Sequence, residues 1–195
     1  MKRQAAARIP SHYGQFNMIA YAEKSAEVMP HIAFIAEGFD PTLQPVAVRI
    51  HSECMTGDVF GSRRCDCGDQ LEASLQIVAE RGGVVIYLRQ EGRGIGLINK
   101  LKAYNLQDLG LNTAEANTHL GFDVDARQYD AAIFILQDLG IEAIELITNN
   151  PEKVAALRRS PIRVVGRIPI VMPVHDDNRD YLQTKKDLMG HLLSL

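Results

Sequence analysis

The stretch "DQLEASLQIVAERGGVVIYL", residues 69–88, decides the fold class. Its apolar residues Leu71, Leu75 and Val78 fall at helical spacing and Gly82-Gly83 ends the run, so the pattern predicts a helix over residues 69–81. The continuous apolar run at 84–88 follows at once and predicts a buried strand. A helix that leads directly into a buried strand is typical of an α/β sheet covered by helices.

The same alternation continues on both sides of this stretch. Asn150 and Pro151 form a strong helix start, an N-cap followed by proline at the first helical position. Periodicity predicts helices over residues 97–110, 127–140, 149–160 and 178–193, and strands over 15–22, 31–38, 45–53, 143–148 and 162–171. We therefore expect an α/β (α+β) fold, a mixed β-sheet flanked by helices with an antiparallel first third, in a single domain spanning residues 1–195.

Composition excludes several classes of protein. The formal net charge of -3 and pI of about 6.1 give no basic field, so we expect no nucleic-acid partner. No apolar run approaches the roughly 18–20 residues that a membrane span needs, so we expect no membrane association. The N-terminus reaches Pro10 without the apolar stretch of a secretory signal, and we therefore expect a cytoplasmic protein.

All three cysteines lie in "CMTGDVFGSRRCDC", residues 54–67. An odd number of thiols does not fit a disulfide scaffold, and clustered thiols in a reducing compartment favour a metal site. Zinc prefers four ligands, so Cys54, Cys65 and Cys67 would leave one position for water, which ionises near neutral pH in catalytic sites. The alternative is a closed structural site, for which the candidate fourth ligands are His51, Asp58 and Asp66.

Two further patterns carry chemistry of their own. The loop "RQEGRGIG", residues 89–96, opens a helix with Arg89 and Arg93, and favours phosphate binding although neither standard nucleotide loop is present. "HSE", residues 51–53, resembles the histidine–glutamate element of zinc deaminases, but the proline–cysteine motif of those enzymes is missing. "DARQY", residues 125–129, fits equally well a helix start with Asp125 as N-cap.

Together these motifs resemble one enzyme family, GTP cyclohydrolase II. The likeness runs in order from about residue 8 to the end, through residues 49–75, 87–108, 113–117, 125–129, 147–153 and 181–193. The resemblance implies the first step of riboflavin biosynthesis. In that step GTP is hydrolysed to 2,5-diamino-6-(5-phosphoribosylamino)pyrimidin-4(3H)-one, formate and pyrophosphate. It also implies a homodimer.

The resemblance assigns roles to individual residues. It implies one Zn²⁺ per chain on Cys54, Cys65 and Cys67, and Mg²⁺ on the GTP phosphates. The catalytic residues that it implies are Tyr104, Asp125 and Arg127. The GTP-binding residues that it implies are Arg49, Ile50, His51, Ser52, Glu53, Gln70, Glu91, Gly92, Arg93, Thr113, Thr148 and Lys153.

Some alternatives stay open on the sequence alone. The family scheme makes Arg127 a nucleophile at the α-phosphorus, but a guanidinium stays protonated with a pKa above about 12, which favours an electrostatic clamp. Asn112 stands where the family pattern has an acidic residue. A relative that opens a different purine ring, or performs part of the chemistry, is an alternative function, and a structural zinc module is another.

Overall fold

The computed structural model describes residues 1–123 and 125–193. These residues form two compact units that interleave along the chain. Among the described residues, unit 1 comprises 1–51, 71–89 and 129–170, and unit 2 comprises 52–70, 90–123, 125–128 and 171–193. The expectation of a single domain over residues 1–195 stays a prediction.

Unit 1 is built on a seven-stranded sheet with the order β1-β2-β3-β5-β4-β6-β7. Its strands are β1 (Lys2–Ser11), β2 (Gly14–Ala22), β3 (His31–Ala36), β4 (Val46–Ser52), β5 (Val84–Leu88), β6 (Ala143–Ile147) and β7 (Arg163–Ile168). The pairs β1–β2, β2–β3 and β3–β5 are antiparallel, whereas β4–β6 and β6–β7 are parallel. The prediction of a mixed sheet with an antiparallel first third is confirmed.

Helices α2 (Cys67–Arg81), α5 (Asp130–Asp138) and α6 (Pro151–Arg158) belong to unit 1, with α2 counted from Leu71 onward. Ile50 on β4, Ile86 on β5, Ile135 on α5 and Leu146 on β6 are fully buried in one hydrophobic core. Strands this apolar are typical of the middle of a sheet that is covered on both faces. The core fixes the ends of β4 and β6, where predicted site residues lie.

The local signals of unit 1 act largely as predicted. Gly82 ends α2 with φ of 72°, a left-handed conformation that costs glycine little. The side chain of Asn150 accepts hydrogen bonds from the N–H groups of Glu152 and Lys153, so it caps α6 with Pro151 at the first position. The N-cap interpretation of Asp125 is wrong: α5 begins five residues later, at Asp130, after Tyr129.

Unit 2 is helical. It contains α1 (Met55–Asp58), the first residues of α2, a 3₁₀ turn at Glu91–Gly94, α3 (Gly96–Asp108), α4 (Thr113–His119) and α7 (Arg179–Asp187). Asn112 accepts hydrogen bonds from the N–H groups of Ala114 and Glu115, and the carboxylate of Glu115 accepts from the N–H of Asn112. This capping box explains asparagine at 112, because an N-cap needs an acceptor rather than a charge.

The helices of the described part of the chain all lack the length and apolar character that crossing a bilayer requires.

Candidate functional site

The three thiols of unit 2 lie together. The Sγ atoms of Cys54, Cys65 and Cys67 are all within 4.8 Å of one another, and those of Cys54 and Cys65 are 3.7 Å apart. All three cysteines are free, since a disulfide would bring its sulfurs to about 2.05 Å. Two thiolates about 2.3 Å from one tetrahedral zinc ion stand about 3.8 Å apart, so the cluster has the spacing of a zinc site.

Local backbone packing brings these thiols together. Cys54 precedes α1 and donates its N–H to the Asp58 carboxylate at 2.9 Å, while Cys67 opens α2. A Cβ atom on Gly57 would lie 3.1 Å from the Sγ of Cys65, and one on Gly68 would lie 2.5 Å from the carbonyl oxygen of Gly57. Glycine is therefore required at position 68 if the two turns are to approach, and at position 57 a side chain would crowd Cys65.

The candidate fourth ligands have other contacts. Asp58 accepts the N–H of Cys54, and the buried Asp66 accepts from Lys185 Nζ at 2.5 Å and Gln70 Nε2 at 2.6 Å. His51 belongs to unit 1 and stacks on the ring of Tyr87. Within the described part of the chain, the group of metal-binding side chains consists of the three cysteines.

Lys100 is a buried cation beside the thiols. Its Nζ donates to Cys54 Sγ at 3.0 Å and to Glu91 Oε1 at 2.8 Å. Hydrogen bonds from Cys65 and Cys67, together with the charge of Lys100, hold the pKa of Cys54 well below its ordinary value. The hydrogen bond to Cys54 raises the pKa of Cys65, and the ammonium of Lys100 contacts Cys54 alone among the described thiols, which favours the first negative charge on Cys54.

Tyr104, predicted to be catalytic, lies on α3 one turn after Lys100. The Nζ of Lys100 is 5.7 Å from the centre of its ring, and the guanidinium of Arg64 is 5.0 Å away. Burial raises the pKa of Tyr104 despite the nearby charge of Lys100 and a hydrogen bond with Thr56. Its phenol is therefore protonated at neutral pH and is available as a proton donor.

Asp125 and Arg127 form an ion pair. Arg127 Nε donates to the two carboxylate oxygens of Asp125 at 2.8 and 3.1 Å, and its Nη2 also contacts that carboxylate. Burial alone would raise the pKa of Asp125, but hydrogen bonds from Arg127 and the charge of Arg93 lower it below its ordinary value. Asp125 is thus a carboxylate that orients the guanidinium of Arg127.

Arg93, in the 3₁₀ turn, has an unusual backbone conformation and a buried guanidinium. Arg93 has φ of 61°, and among the described residues it is the one non-glycine with positive φ. Such a conformation costs about 1–3 kcal/mol and is concentrated at functional sites. Its buried Nη1 and Nη2 atoms have no hydrogen-bond partner in the described part of the chain, whereas the backbone oxygen of Arg93 accepts the N–H of Ala126. These donors suit an anionic ligand.

The predicted GTP-binding residues divide between the two units. In unit 1, Lys153 Nζ donates to the carbonyl oxygen of Ile50 at 2.7 Å, and Arg49 contacts His51 Nδ1 at 3.4 Å and the carbonyl oxygen of Ile147 at 3.1 Å. Thr148 follows β6 and accepts the N–H of Asn150. These residues therefore gather around the ends of β4 and β6.

In unit 2, Ser52 Oγ accepts from Gln90 Nε2 at 2.8 Å, Glu53 is buried before α1, and Thr113 begins α4. Gln70 donates to Asp66, as described above. The Glu91 carboxylate is occupied by protein donors, because it accepts the N–H groups of Met55 and Gly92 besides Lys100.

Sequence reasoning missed two residues of unit 2, Lys100 and Gln90. Gln90 links segments that the motifs left separate: its Nε2 donates to Ser52, and its Oε1 accepts the N–H of Gln128 at 3.1 Å. Lys100 lies on the buried face of α3 together with Ala103, and no local sequence signal marks that face.

Comparison with known proteins assigns the family. The sequence model of GTP cyclohydrolase II matches residues 2–169. The chain belongs to the GTP cyclohydrolase II family. This family consists of hydrolases of riboflavin biosynthesis, and the predicted resemblance is confirmed.

The relatives have about twice the length of this chain. Riboflavin biosynthesis protein RibBA of Bacillus cereus is 52% identical over 194 residues, which are 99% of this chain and 48% of the relative. RibBA of Bacillus cytotoxicus is 53% identical over 188 residues, which are 96% of this chain and 47% of the relative. The chain thus spans about half the length of the curated relatives that it matches.

A solved structure supports the fold class. The crystal structure of RibBX, a two-domain 3,4-dihydroxy-2-butanone 4-phosphate synthase from A. baumannii, has a TM-score of 0.51 and 22% sequence identity. The similarity covers 88% of this chain and 40% of that chain. At this identity it bears on the fold alone.

Proposed function

We propose that this chain is a zinc-dependent GTP cyclohydrolase II. It hydrolyses GTP to 2,5-diamino-6-(5-phosphoribosylamino)pyrimidin-4(3H)-one, formate and pyrophosphate. The observation that carries the proposal is the three-thiol cluster at zinc spacing, in a chain whose residues 2–169 match the family. A structural zinc site would need a fourth protein ligand, and the described carboxylates nearest in sequence, Asp58 and Asp66, have other partners.

Cys54, Cys65 and Cys67 would hold one Zn²⁺ per chain. When bound, zinc supplies Lewis acidity and lowers the pKa of coordinated water, which suits hydrolysis at an electron-poor ring carbon. The protein's own contribution is to fix the three sulfurs, which it does through the approach of Gly57 to Gly68. Tyr104 would hold a proton near the reacting ring, since its raised pKa keeps the phenol protonated.

Phosphate recognition would rest on the arginines of unit 2. Arg93 offers two buried donors that lack partners in the described part of the chain, and Arg127 is oriented by Asp125. A guanidinium in a close ion pair is held in its charged form, which is a clamp for phosphate charge rather than a nucleophile. Mg²⁺ would share the charge of the leaving pyrophosphate.

The remaining proposed GTP contacts follow from the family resemblance. In unit 2 they are Ser52, Glu53, Gln70, Glu91, Gly92 and Thr113, and in unit 1 they are Arg49, Ile50, His51, Thr148 and Lys153. Because the Glu91 carboxylate is occupied by Met55, Gly92 and Lys100, it would act by shaping the turn around Arg93. We further propose that the protein is cytoplasmic, because free thiols persist in a reducing compartment. We also propose that it forms a homodimer.

The test is a product assay on the purified chain. Incubation with GTP and Mg²⁺ should release formate and pyrophosphate with the diaminopyrimidine chromophore. The variant Cys65→Ser should lose zinc, measured by elemental analysis, and ring opening together. Turnover by zinc-free protein would refute the metal assignment, and consumption of a different purine nucleotide in place of GTP would favour the alternative substrate.

The role of Arg127 has a test of its own. Quenched reaction mixtures should show no GMP adduct on Arg127 by mass spectrometry if the residue is a clamp. A trapped adduct on that residue would establish it as the nucleophile.

A further inference from the structure

Lys100 occupies a position that no motif assigned. It lies on α3, its side chain is 10% exposed, and its ammonium is 3.0 Å from Cys54 Sγ and 2.8 Å from Glu91 Oε1. A buried ammonium is costly unless anions or acceptors surround it. Here the two groups that accept hydrogen bonds from the ammonium are a thiol of the cluster and a carboxylate.

Glu91 fixes the ammonium and the neighbouring backbone at the same time. Its Oε2 accepts the N–H of Met55 at 2.6 Å, and its Oε1 accepts the N–H of Gly92 at 2.7 Å in addition to Lys100. Met55 directly follows Cys54, so one carboxylate holds both the backbone beside this cysteine and the cation that contacts its sulfur. Gly92 also packs closely against Lys100, since a Cβ on Gly92 would lie 3.1 Å from the Cβ of Lys100.

We propose that Lys100 is a positioning residue for the metal centre, which sets how strongly Cys54 donates to the bound ion. The inference rests on the proposed zinc site. A charge-assisted N–H···S hydrogen bond withdraws electron density from the sulfur and orients its lone pairs. A divalent ion with three thiolates carries one net negative charge, and the ammonium of Lys100, which Glu91 holds in place, puts a positive charge 3.0 Å from one of those sulfurs. A less strongly donating sulfur leaves the ion more electrophilic, so Lys100 raises the reactivity of the site without touching substrate.

The experiment uses Co²⁺ as the metal probe, because sulfur-to-cobalt charge-transfer bands report the donor strength of the thiolates. The protein is compared with Lys100→Met, Lys100→Gln and the matched control Lys102→Met, which removes an exposed lysine from the same helix. Lys100→Met should move the charge-transfer band to longer wavelength, because the sulfur donates more strongly. It should lower Zn²⁺ affinity by about 10–100-fold in a chelator competition, because the positive charge beside the anionic centre is lost. Lys100→Gln keeps an N–H donor but no charge, so its band position and Zn²⁺ affinity should lie between those of Lys100→Met and the unaltered protein. Lys102→Met should match the unaltered protein in both.

The outcomes separate this inference from the function itself. If the unaltered chain shows no sulfur-to-cobalt band, the metal site of the proposed function fails. If the band is present but Lys100→Met retains its wavelength and the affinity is unchanged, only the role of Lys100 fails. A purely structural role would weaken binding without moving the band, so this result would also overturn the inference. Should Lys100→Met not fold by circular dichroism, the comparison of Lys100→Gln with Lys102→Met decides.

Discussion

Breaking the buried ion pair between Lys185 and Asp66 by removing one of its partners is expected to destabilise unit 2. Lys185 Nζ lies 2.5 Å from Asp66 Oδ1 and 4.4 Å from the centre of the Tyr181 ring. Asp66 is 2% exposed and its other oxygen accepts from Gln70. The change Lys185→Met keeps the apolar stem and removes the ammonium.

The magnitude follows from what remains after the change. Asp66 keeps the hydrogen bond from Gln70 but loses the ammonium of Lys185, and breaking a buried pair by removing one partner costs about 3–5 kcal/mol. Loss of the contact with the Tyr181 ring adds about 1–2 kcal/mol if that site is desolvated. The double variant Lys185→Met, Asp66→Asn should recover much of this cost, because it removes both charges of the pair.

Equilibrium unfolding in guanidinium chloride, followed by circular dichroism, measures these free energies of unfolding. Lys186→Met is the matched control, since it removes the neighbouring lysine and should change stability by less than about 0.5 kcal/mol. Asp66 stands between Cys65 and Cys67, two of the proposed zinc ligands, so Lys185→Met should also speed release to a chelator of zinc bound at the proposed site. A free energy of unfolding within about 1 kcal/mol of the unaltered protein would show that the pair contributes little and that the reasoning is wrong.

Two more results are expected. Burial and the charges of Lys185, Arg127 and Arg93 lower the pKa of His191 to about 4 from 6.5, so folded His191 stays neutral where the unfolded chain is protonated. The free energy of unfolding should therefore fall as pH drops from about 6.5 to about 4. The fall should be shallower for His191→Gln. Equal slopes of unfolding free energy against pH in the two proteins would contradict this. Lys153→Met should weaken binding of a nonhydrolysable GTP analogue by about 1–3 kcal/mol in calorimetry if its ammonium holds phosphate, and unchanged affinity would return it to a structural role.

Much of the fold could be predicted because local signals agree with the global arrangement. The strand at 84–88 has the predicted bounds, and α6 starts at Pro151 behind its asparagine cap as expected. Strand β1 was not anticipated because its residues are mostly charged, small and exposed. It forms because antiparallel pairing with β2 satisfies its backbone, and that partner lies beyond the range of local propensity.

Part of the candidate site could likewise be predicted from the sequence, and part could not. Clustering in sequence identified the three cysteines, and the structure brings their sulfurs together. Lys100 and Lys185 could not be assigned, because a lysine on an amphipathic helix is usually solvated and nothing local shows that an anion from a distant segment will meet it. The predicted tail helix ends at Asp187 rather than continuing to residue 193, and Leu188 and Leu192 are exposed. Helical spacing alone does not specify where packing stops.

The segment between the first two cysteines combines tight ends with an open tip. Gly68 admits no side chain and a Cβ on Gly57 would crowd Cys65, whereas Phe60 is 74% exposed and a Cβ on Gly61 would meet nothing within 4 Å. Position 60 is therefore suited to a fluorescent amino acid introduced by genetic code expansion, which avoids maleimide chemistry on the native thiols. Such a reporter would follow metal loading and loss at the proposed site in real time without altering the three cysteines.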